Sequence, residues 1–368
     1  MNTPYENELR ALKRSGRFRE RHLRDLNLID AASNDYLGLA HHRELHQKAW
    51  ESLEIYADKS PKASMLVNGY HPIHAAFEEA LCKANGFEAA IVMGSGFNAN
   101  IGLMEALVRK GDVLLMDEEY HASGIAGARM CEGEVHFFPH NDAEALEKKL
   151  KEFSNKRVIV AVEGIYSMGG DCVSKEILDL AIDYEAVLIL DEAHSSGVIG
   201  ENLMGILDYY QMEPTPLMIK MGTLGKAYGS FGAYVLSSQH ISDFLINRAK
   251  NVIYATAPSL YDTALGFHAL HYIQTHKTVL REQISLRQEI VEKGLGIRVE
   301  GLIVPIVIGD NHEVMRIQEY LKKELGVHVG AIRQPTVKEA IIRLIARLEV
   351  GPKVLSEVCA SLTQIRVK

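Results

Sequence analysis

The sequence has few cysteines, no long apolar run and no apolar N-terminal segment, and each of these absences argues against a class of protein. The four cysteines, at 82, 131, 172 and 359, have neither metal-ligand spacing nor the density of a disulfide framework. No apolar run approaches the ~20 residues of a transmembrane helix. The first 22 residues are polar and lack the apolar core of a signal peptide. We therefore expect a cytoplasmic protein with no membrane partner.

The charge balance argues against a nucleic-acid partner. The chain carries 40 lysines and arginines against 48 acidic residues, a net charge of -8. Basic residues do cluster between Arg10 and Arg24, but Glu20 interrupts them and Asp25 follows. We interpret residues 6–24 as a solvated amphipathic helix. With 368 residues, of which 47% are hydrophobic, the chain is long enough for about two globular domains.

Apolar strands alternate with helical stretches over the first two thirds of the chain. This pattern predicts an α/β fold with a mostly parallel, seven-stranded central sheet that is covered on both faces. From about residue 246 a long helix, Tyr261 to Lys293, precedes strands and helices of a smaller α+β domain. We predict an N-terminal arm (1–45), a large domain (46–245) and a small C-terminal domain (246–368). The predicted strands of the large sheet are Ala89–Met93, Val113–Met116, Val135–Phe138, Val158–Val162, Val187–Leu190, Leu217–Ile219 and Ala233–Leu236.

Polar residues follow five of these strands where each one ends. In an open α/β sheet, ligands bind outside the carboxyl ends of the strands, so these residues should line one cleft. The groups that follow the five strands are Gly94–Phe97, Asp117 with His121, Glu163 with Ser167, Asp191 with His194, and Thr223 with Lys226.

Pyridoxal phosphate is the cofactor that this combination favours. The Gly94–Gly96 turn opens a helix, whose amide groups and dipole attract a phosphate, and Thr223 adds a hydroxyl donor. Lys226 supplies an amine for a Schiff base with the cofactor aldehyde. Asp191 supplies a carboxylate that keeps the ring nitrogen protonated. His121 is the candidate ring for stacking on the cofactor.

Two other interpretations stay open from the residues alone. The Gly94–Ala99 segment also fits a dinucleotide fingerprint, with Asp117 as the ribose acid, which would indicate an NAD-dependent oxidoreductase. The chain could also be a non-catalytic subunit that keeps the fold, although the presence of Lys226 argues against this. Taken singly, Lys226 would more often be a surface lysine and Asp191 as often a helix cap. Only their shared position at one edge of the sheet favours the cofactor.

The chain resembles the α-oxoamine synthase family of fold-type I pyridoxal-phosphate transferases, closest to the branch that serves biotin synthesis. The resemblance extends over essentially the whole chain. The matching segments are Ser33–Leu39, Asn68–His74, Gly94–Asn100, His121–Ser123, Glu163–Asp171, Asp191–His194, Gly197–Gly200, Thr223–Lys226, Pro305–Asp310 and Ala331–Val337.

The resemblance implies a role for each matching residue. Lys226 forms the Schiff base and moves protons, Asp191 pairs with the ring nitrogen, and His194 bonds the cofactor's phenolic oxygen. His121 stacks on the ring and faces the substrate. The remaining residues that the resemblance places at the cofactor are Gly96, Phe97, Ser167 and Thr223, with Thr256 acting across a homodimer interface. Those that it places at the substrate are Arg19, Asn34, Thr336 and Arg343.

The implied reaction is a decarboxylative condensation of an amino acid, L-alanine, with a pimeloyl thioester of acyl carrier protein or coenzyme A. Other members of the family remain alternatives: glycine C-acetyltransferase, 5-aminolevulinate synthase, serine palmitoyltransferase and autoinducer synthases. The short polar N-terminus and the Ser33–Leu39 segment favour the biotin branch.

Three departures from the family pattern stand out. Met65 occupies the place of a usual arginine, and Met168-Gly-Gly-Asp171 replaces Met-Asp-Gly-Asp. The third departure is in the segment that should carry the arginine for the amino-acid carboxylate. A strand predicted over 341–348 contains both Arg343 and Arg347, and alternation would put them on the same face. We favour Arg343 for the carboxylate, with Arg347 as the second choice.

Overall fold

A computed structural model describes residues 3–15 and 17–366. Its strands are β1 Ile29–Ala31, β2 Ala89–Met93, β3 Val113–Asp117, β4 Glu134–Phe138, β5 Val158–Glu163, β6 Val187–Asp191, β7 Met218–Thr223, β8 Ala233–Ser237, β9 Ile303–Gly309, β10 Val327–Ile332 and β11 Ala340–Ile345. Its α-helices are α1 Glu6–Arg14, α2 Arg43–Glu54, α3 Pro72–Asn85, α4 Gly96–Leu107, α5 Ala122–Ala128, α6 Ala143–Glu152, α7 Lys175–Asp183, α8 Ile206–Tyr209, α9 Gln239–Arg248, α10 Lys250–Ile253, α11 Leu260–Leu295, α12 Asn311–Leu325 and α13 Pro352–Arg366.

Seven strands form the large sheet, in the order β2-β8-β7-β6-β5-β3-β4. The neighbours from β7 to β4 pair in parallel, whereas β8 runs antiparallel to both β2 and β7. Every residue of β3 and β5 is buried, as expected for parallel strands that are covered on both faces. The predicted α/β fold with a mostly parallel sheet is confirmed.

The strand directions bring the predicted cleft residues to one edge of this sheet. Because β8 is the antiparallel strand between β2 and β7, those two strands run in the same direction as β6, β5 and β3. The carboxyl ends of all five strands therefore share an edge, as the sequence predicted. Asp117, Glu163, Asp191 and Thr223 are the last residues of β3, β5, β6 and β7.

Contacts within the chain divide it into two compact units. The larger unit contains residues 34–167 and 171–283, and the remaining described residues, 168–170 among them, form the smaller one. These boundaries differ from the predicted ones near 45 and 246, because most of α11 packs with the larger unit. The chain passes from one unit to the other inside this continuous helix.

The smaller unit has a four-stranded sheet in the order β1-β10-β11-β9, with α12 against it. Its β10, β11 and β9 pair antiparallel, and β1 adds in parallel to β10. This agrees with the predicted α+β character.

The predicted N-terminal helix over 6–24 is wrong in its second half. The helix ends at Arg14, and the described residues from Arg17 to Asp25 are not helical. Ser15 and Gly16 interrupt the pattern, and both residue types have low helix propensity. None of the helix's residues is buried, so no packing offsets this weakness. Among the described residues, no helix has the length and apolar character to cross a bilayer.

Candidate active site

The shared edge of the large sheet contains a cavity of about 170 Å³. Seven of the predicted site residues line it: Gly96, Phe97, His121, Asp191, His194, Thr223 and Lys226. The other lining residues are Asn100, Ser123, Glu163, Ala193 and Met221. Residues between 96 and 226 therefore converge on one small volume, which the shared strand direction predicts.

Lys226 and His194 are in direct contact in this cavity. Lys226 Nζ lies 2.8 Å from His194 Nε2. The other ring nitrogen, Nδ1, lies 2.5 Å from the hydroxyl of Tyr36, which also donates a weak hydrogen bond of 3.3 Å to Asn34 Oδ1. His194 is only 6% exposed and Tyr36 is fully buried. The predicted substrate residue Asn34 is thus connected to Lys226 through Tyr36 and His194.

Asp191 is held by two hydrogen-bond donors. The backbone N–H of Ala193 donates to Oδ1 at 2.9 Å, and Asn100 Nδ2 donates to Oδ2 at 2.7 Å. Asn100 is itself fixed by Tyr120, whose hydroxyl donates to Asn100 Oδ1 at 3.0 Å. The carboxylate is 4% exposed, so its orientation is set by these bonds rather than by water.

His121 lies at the N-cap of α5, where Ser123 N–H donates to its Nδ1. The same nitrogen is 2.7 Å from Ser123 Oγ, and that oxygen accepts from Asn100. Burial lowers the pKa of His121, and the positive charge of Lys226 lowers it further, while Asp191 opposes the shift. The ring is therefore neutral at pH 7.

Glu163 is a buried carboxyl group at the edge of the cavity. Its Oε2 accepts the backbone N–H of Ser167 at 3.1 Å, whereas its Oε1 has no hydrogen-bond partner. Burial and the negative charge of Asp191 raise the pKa of Glu163 well above its usual value. This shift favours the protonated, neutral form of Glu163.

The first turn of α4 can bind an anion beside Thr223. Ser95 caps the helix by accepting the N–H of Asn98 at 3.2 Å, and the first N–H groups of a helix have no partner within it. A methyl group on Gly96 would lie 3.6 Å from Thr223 Cβ, so this turn and Thr223 face the same space. Phe97 is 53% exposed at the cavity rim.

Two predicted cofactor residues lie outside the lining. Ser167 is buried, and its backbone N–H donates to Glu163 in the cavity lining. Thr256 is exposed in the segment between α10 and α11 and does not line the cavity. Neither position tests the predicted roles.

The predicted substrate residues Arg19, Thr336 and Arg343 belong to the smaller unit. Arg19 Nη2 donates to Thr336 Oγ1 at 2.9 Å, although the two residues are 317 positions apart. Both line a cavity of about 960 Å³ within this unit. Two residues that were predicted separately to meet the substrate are thus neighbours.

Arg343 and Arg347 differ in their surroundings, contrary to the prediction that they share a strand face. The strand β11 ends at Ile345, so Arg347 lies beyond it. Arg347 Nη1 donates to Asp30 Oδ2 at 2.8 Å and to Ser33 Oγ at 2.9 Å. Its Nη2 donates to Glu349 Oε2 at 2.5 Å. The strand stops early because the chain turns after Ala346, where Val350 N–H bonds to Arg347 O.

Sequence reasoning placed Glu163 at the cleft without a role, and it missed Tyr36, Asn100 and Ser123 as site residues. Asn100 offered one signal, because it is a polar residue on the largely apolar helix α4, where it is 1% exposed. A buried polar group needs a partner, and this one bonds to Asp191. Tyr36 offered no local signal, since its partner His194 is 158 residues away.

Comparison with known proteins identifies the family. The model of the family "aminotransferase class I and II" matches residues 27–362. The 8-amino-7-oxononanoate synthase of Helicobacter pylori (strain ATCC 700392 / 26695) is 43% identical over 342 residues, which are 92% of this chain and 91% of that protein. This chain belongs to the α-oxoamine synthase group of the aminotransferase class I and II family. A putative 8-amino-7-oxononanoate synthase of Aquifex aeolicus is 38% identical over 347 residues, 92% of this chain and 91% of that protein.

Solved structures agree on the fold. A serine palmitoyltransferase of S. paucimobilis has a TM-score of 0.88 over 98% of this chain and 96% of that chain, at 23% identity. The 8-amino-7-oxononanoate synthase of Francisella tularensis has a TM-score of 0.76 over 94% of this chain and all of that chain, at 24% identity. Fold type I is confirmed, and the family leaves no support for the NAD-dependent alternative.

Proposed function

We propose that the chain is a pyridoxal-phosphate-dependent acyltransferase that condenses L-alanine with a pimeloyl thioester, with loss of carbon dioxide, to give 8-amino-7-oxononanoate for biotin synthesis. The convergence of Lys226, His194, Asp191 and His121 on one cavity supports the cofactor. The relatives with 43% and 38% identity over most of the chain support the biotin branch.

The residues at the cavity fit pyridoxal phosphate. A carboxylate fixed by two donors and almost fully buried, as Asp191 is, suits a cationic ring nitrogen. The first turn of α4 with Thr223 suits the phosphate. Lys226 would hold the aldehyde, and His194 would meet the phenolic oxygen.

The bound cofactor supplies an electron sink that stabilises negative charge at the substrate Cα. Asp191 would strengthen this electron withdrawal, because its negative charge favours a protonated ring nitrogen on the cofactor. Lys226 Nζ is the group that takes and returns the proton at Cα, and His194 Nε2 lies 2.8 Å from it. His121 can lie against a cationic ring without repulsion because its own ring is neutral.

Four residues are our candidates for substrate recognition: Arg19, Asn34, Thr336 and Arg343. Arg343 is our candidate for the amino-acid carboxylate, on the strength of the family resemblance. Arg347, the second choice, pairs with Asp30 and Glu349. Arg19 and Thr336 are candidates for the acyl thioester, and Asn34 for the amino acid. We also propose a cytoplasmic homodimer in which Thr256 reaches the partner's phosphate site.

Two measurements test this function. Purified protein supplied with pyridoxal phosphate should absorb near ~420 nm and be yellow, as a conjugated cofactor on lysine does. Lys226→Ala should lack this band and all turnover. Protein that stays colourless after the cofactor is added would reject the cofactor assignment.

A panel of thioesters decides the member of the family. Pimeloyl, acetyl, succinyl and palmitoyl thioesters are each offered with alanine, glycine and serine, and release of the carrier is followed. We expect the highest kcat/KM for pimeloyl thioester with alanine. A preference for palmitoyl thioester with serine would instead favour serine palmitoyltransferase, whose fold the chain shares.

A further inference from the structure

Asn100 is a buried amide that contacts the carboxylate of Asp191. Its Nδ2 donates to Asp191 Oδ2 at 2.7 Å and to Ser123 Oγ at 2.9 Å. Its Oδ1 accepts from the Tyr120 hydroxyl at 3.0 Å. Asn100, Ser123 and Tyr120 are each at most 2% exposed. These hydrogen bonds therefore lie away from solvent, and both hydrogens of the amide are used.

The chemistry of the partners allows one orientation of this amide. A charged carboxylate can only accept a hydrogen bond, so Asp191 requires the NH2 group of Asn100 rather than its oxygen. The oxygen then faces Tyr120, which must donate. Burial and the negative charge of Asp191 raise the pKa of Tyr120 well above its usual value, so the hydroxyl keeps the proton that it donates. Tyr120 therefore locks the amide with its NH2 group toward Asp191.

Close packing between α4 and α5 holds this group of residues in place. Tyr120 lies two residues before α5, and a methyl group on Gly124 of that helix would overlap the tyrosine ring. A methyl group on Gly127 would lie only 3.0 Å from Asn100 O and Ile101 Cα. The backbone of α5 thus packs directly on the tyrosine ring and on α4 at Asn100, which restricts both side chains.

The hydrogen bonds to Asp191 act against the effect of its burial. Burial by itself favours a neutral carboxyl group, and the pKa of the neighbouring Glu163, whose Oε1 has no partner, is raised. Asp191 is also buried, but each of its oxygens accepts a hydrogen bond, one from Ala193 N–H and one from Asn100. Donated hydrogen bonds favour the charged form of a carboxylate and make it a weaker base. A proton between Asp191 and a ring nitrogen would therefore lie on the nitrogen.

We propose that Asn100 is a positioning residue which, locked by Tyr120, keeps the proton on the ring nitrogen of the cofactor rather than on Asp191. The proposal rests on the proposed function, in which this cavity holds pyridoxal phosphate. Without the amide, the carboxylate loses one of its two donors and becomes a stronger base. Asp191 then takes the proton, and electron withdrawal from the substrate weakens. Tyr120→Phe has the same effect in a weaker form, because the amide remains but its orientation is no longer fixed.

The first test compares two cofactors in binding to the apoprotein of wild type and of Asn100→Leu. One is pyridoxal phosphate, and the other is its 1-deaza analogue, in which a C–H group replaces the ring nitrogen. Loss of one hydrogen bond to a charged group should raise the Kd for pyridoxal phosphate about tenfold. The Kd for the analogue should change by less than about threefold, since the analogue has no ring proton to share. An equal rise for both cofactors, or no rise for either, would overturn the proposal.

Tyr120→Phe and Tyr234→Phe form a matched pair that also covers the case in which Asn100→Leu does not fold. Tyr234 is fully buried and its hydroxyl donates to Ser196 Oγ at 2.9 Å, but neither of these two residues lines the cavity. We expect Tyr120→Phe to raise the Kd for pyridoxal phosphate about threefold and Tyr234→Phe to leave it unchanged. If the two variants bind the cofactor equally well, the proposal is wrong while the proposed function stands.

Nitrogen-15 NMR of the holoenzymes, prepared with cofactor labelled at the ring nitrogen, reports where the proton lies. We expect a protonated ring nitrogen in wild type and in Tyr234→Phe at pH 7, and a largely unprotonated one in Asn100→Leu. A ring nitrogen that stays fully protonated in Asn100→Leu would overturn the proposal. If the wild type captures no cofactor, the proposed function itself fails, and this proposal fails with it.

Discussion

Replacing His140 by glutamine should destabilise the fold in a way that depends on pH. His140 lies between two carboxylates, with Nδ1 3.0 Å from Asp117 Oδ1 and Nε2 2.9 Å from Asp171 Oδ2. Burial opposes the charged ring, but the two carboxylates outweigh it and raise the pKa of His140 to about 10. Asp117 is completely buried, so the positive ring is an important partner for it.

The magnitude follows from this shift. A rise from about 6.5 to about 10 corresponds to about 5 kcal/mol if taken whole. The ring is 23% exposed and Asp171 is 41% exposed, so solvent screens part of the interaction. We expect His140→Gln to lower the free energy of unfolding by about 2 kcal/mol at pH 6.5.

The sign of the pH dependence is fixed by the direction of the shift. Because the folded protein binds the His140 proton more tightly, its contribution is complete below about pH 6.5 and is lost as pH rises toward 10. Urea unfolding of wild type and variant at half-unit steps from pH 6.5 to 10, at constant ionic strength, measures the difference. His240→Gln, at an exposed position, is the control and should show almost no difference. If the difference in unfolding free energy between wild type and His140→Gln stays constant over this pH range, the reasoning is refuted.

Two further predictions concern the two units separately. Glu163→Gln should keep the absorbance of the bound cofactor and a kcat within about threefold of wild type at pH 7, because the raised pKa of Glu163 favours the neutral acid, which an amide imitates. A loss of a hundredfold or more would mean that Glu163 works as an anion. Arg347→Ala should lower the free energy of unfolding by about 3 kcal/mol, because it removes the buried guanidinium that pairs with Asp30 and leaves this carboxylate with the mostly exposed Arg24. Arg343→Lys should chiefly raise the KM for the amino acid, and the reverse pattern would exchange the roles of the two arginines.

Local signals explain which parts of the fold the sequence could predict. The boundaries of the helix Pro72–Asn85 follow from local signals, because Pro72 begins it and Gly86, with a φ of 75°, ends it. The strand ends were predictable because apolar runs stop at charged residues such as Asp191. Such boundaries depend only on neighbours in sequence.

Contacts between distant residues explain what was missed. The hydroxyl of Tyr36 meets His194 only after the turn at 34–40 packs on the Lys226 loop, and no periodicity encodes that. Arg347 pairs with Asp30, 317 positions away, a contact that the strand pattern does not reveal. For the same reason, counting along the strand could not separate Arg343 from Arg347.

The amide of Asn100 has a consequence for how this cavity can be altered. One nitrogen donates both to the Asp191 carboxylate and to Ser123, which in turn contacts His121. Substitutions at these four positions should therefore be strongly non-additive, and a variant that tolerates a change at one of them will need compensation at another. Attempts to redesign the reaction should therefore change these four residues together.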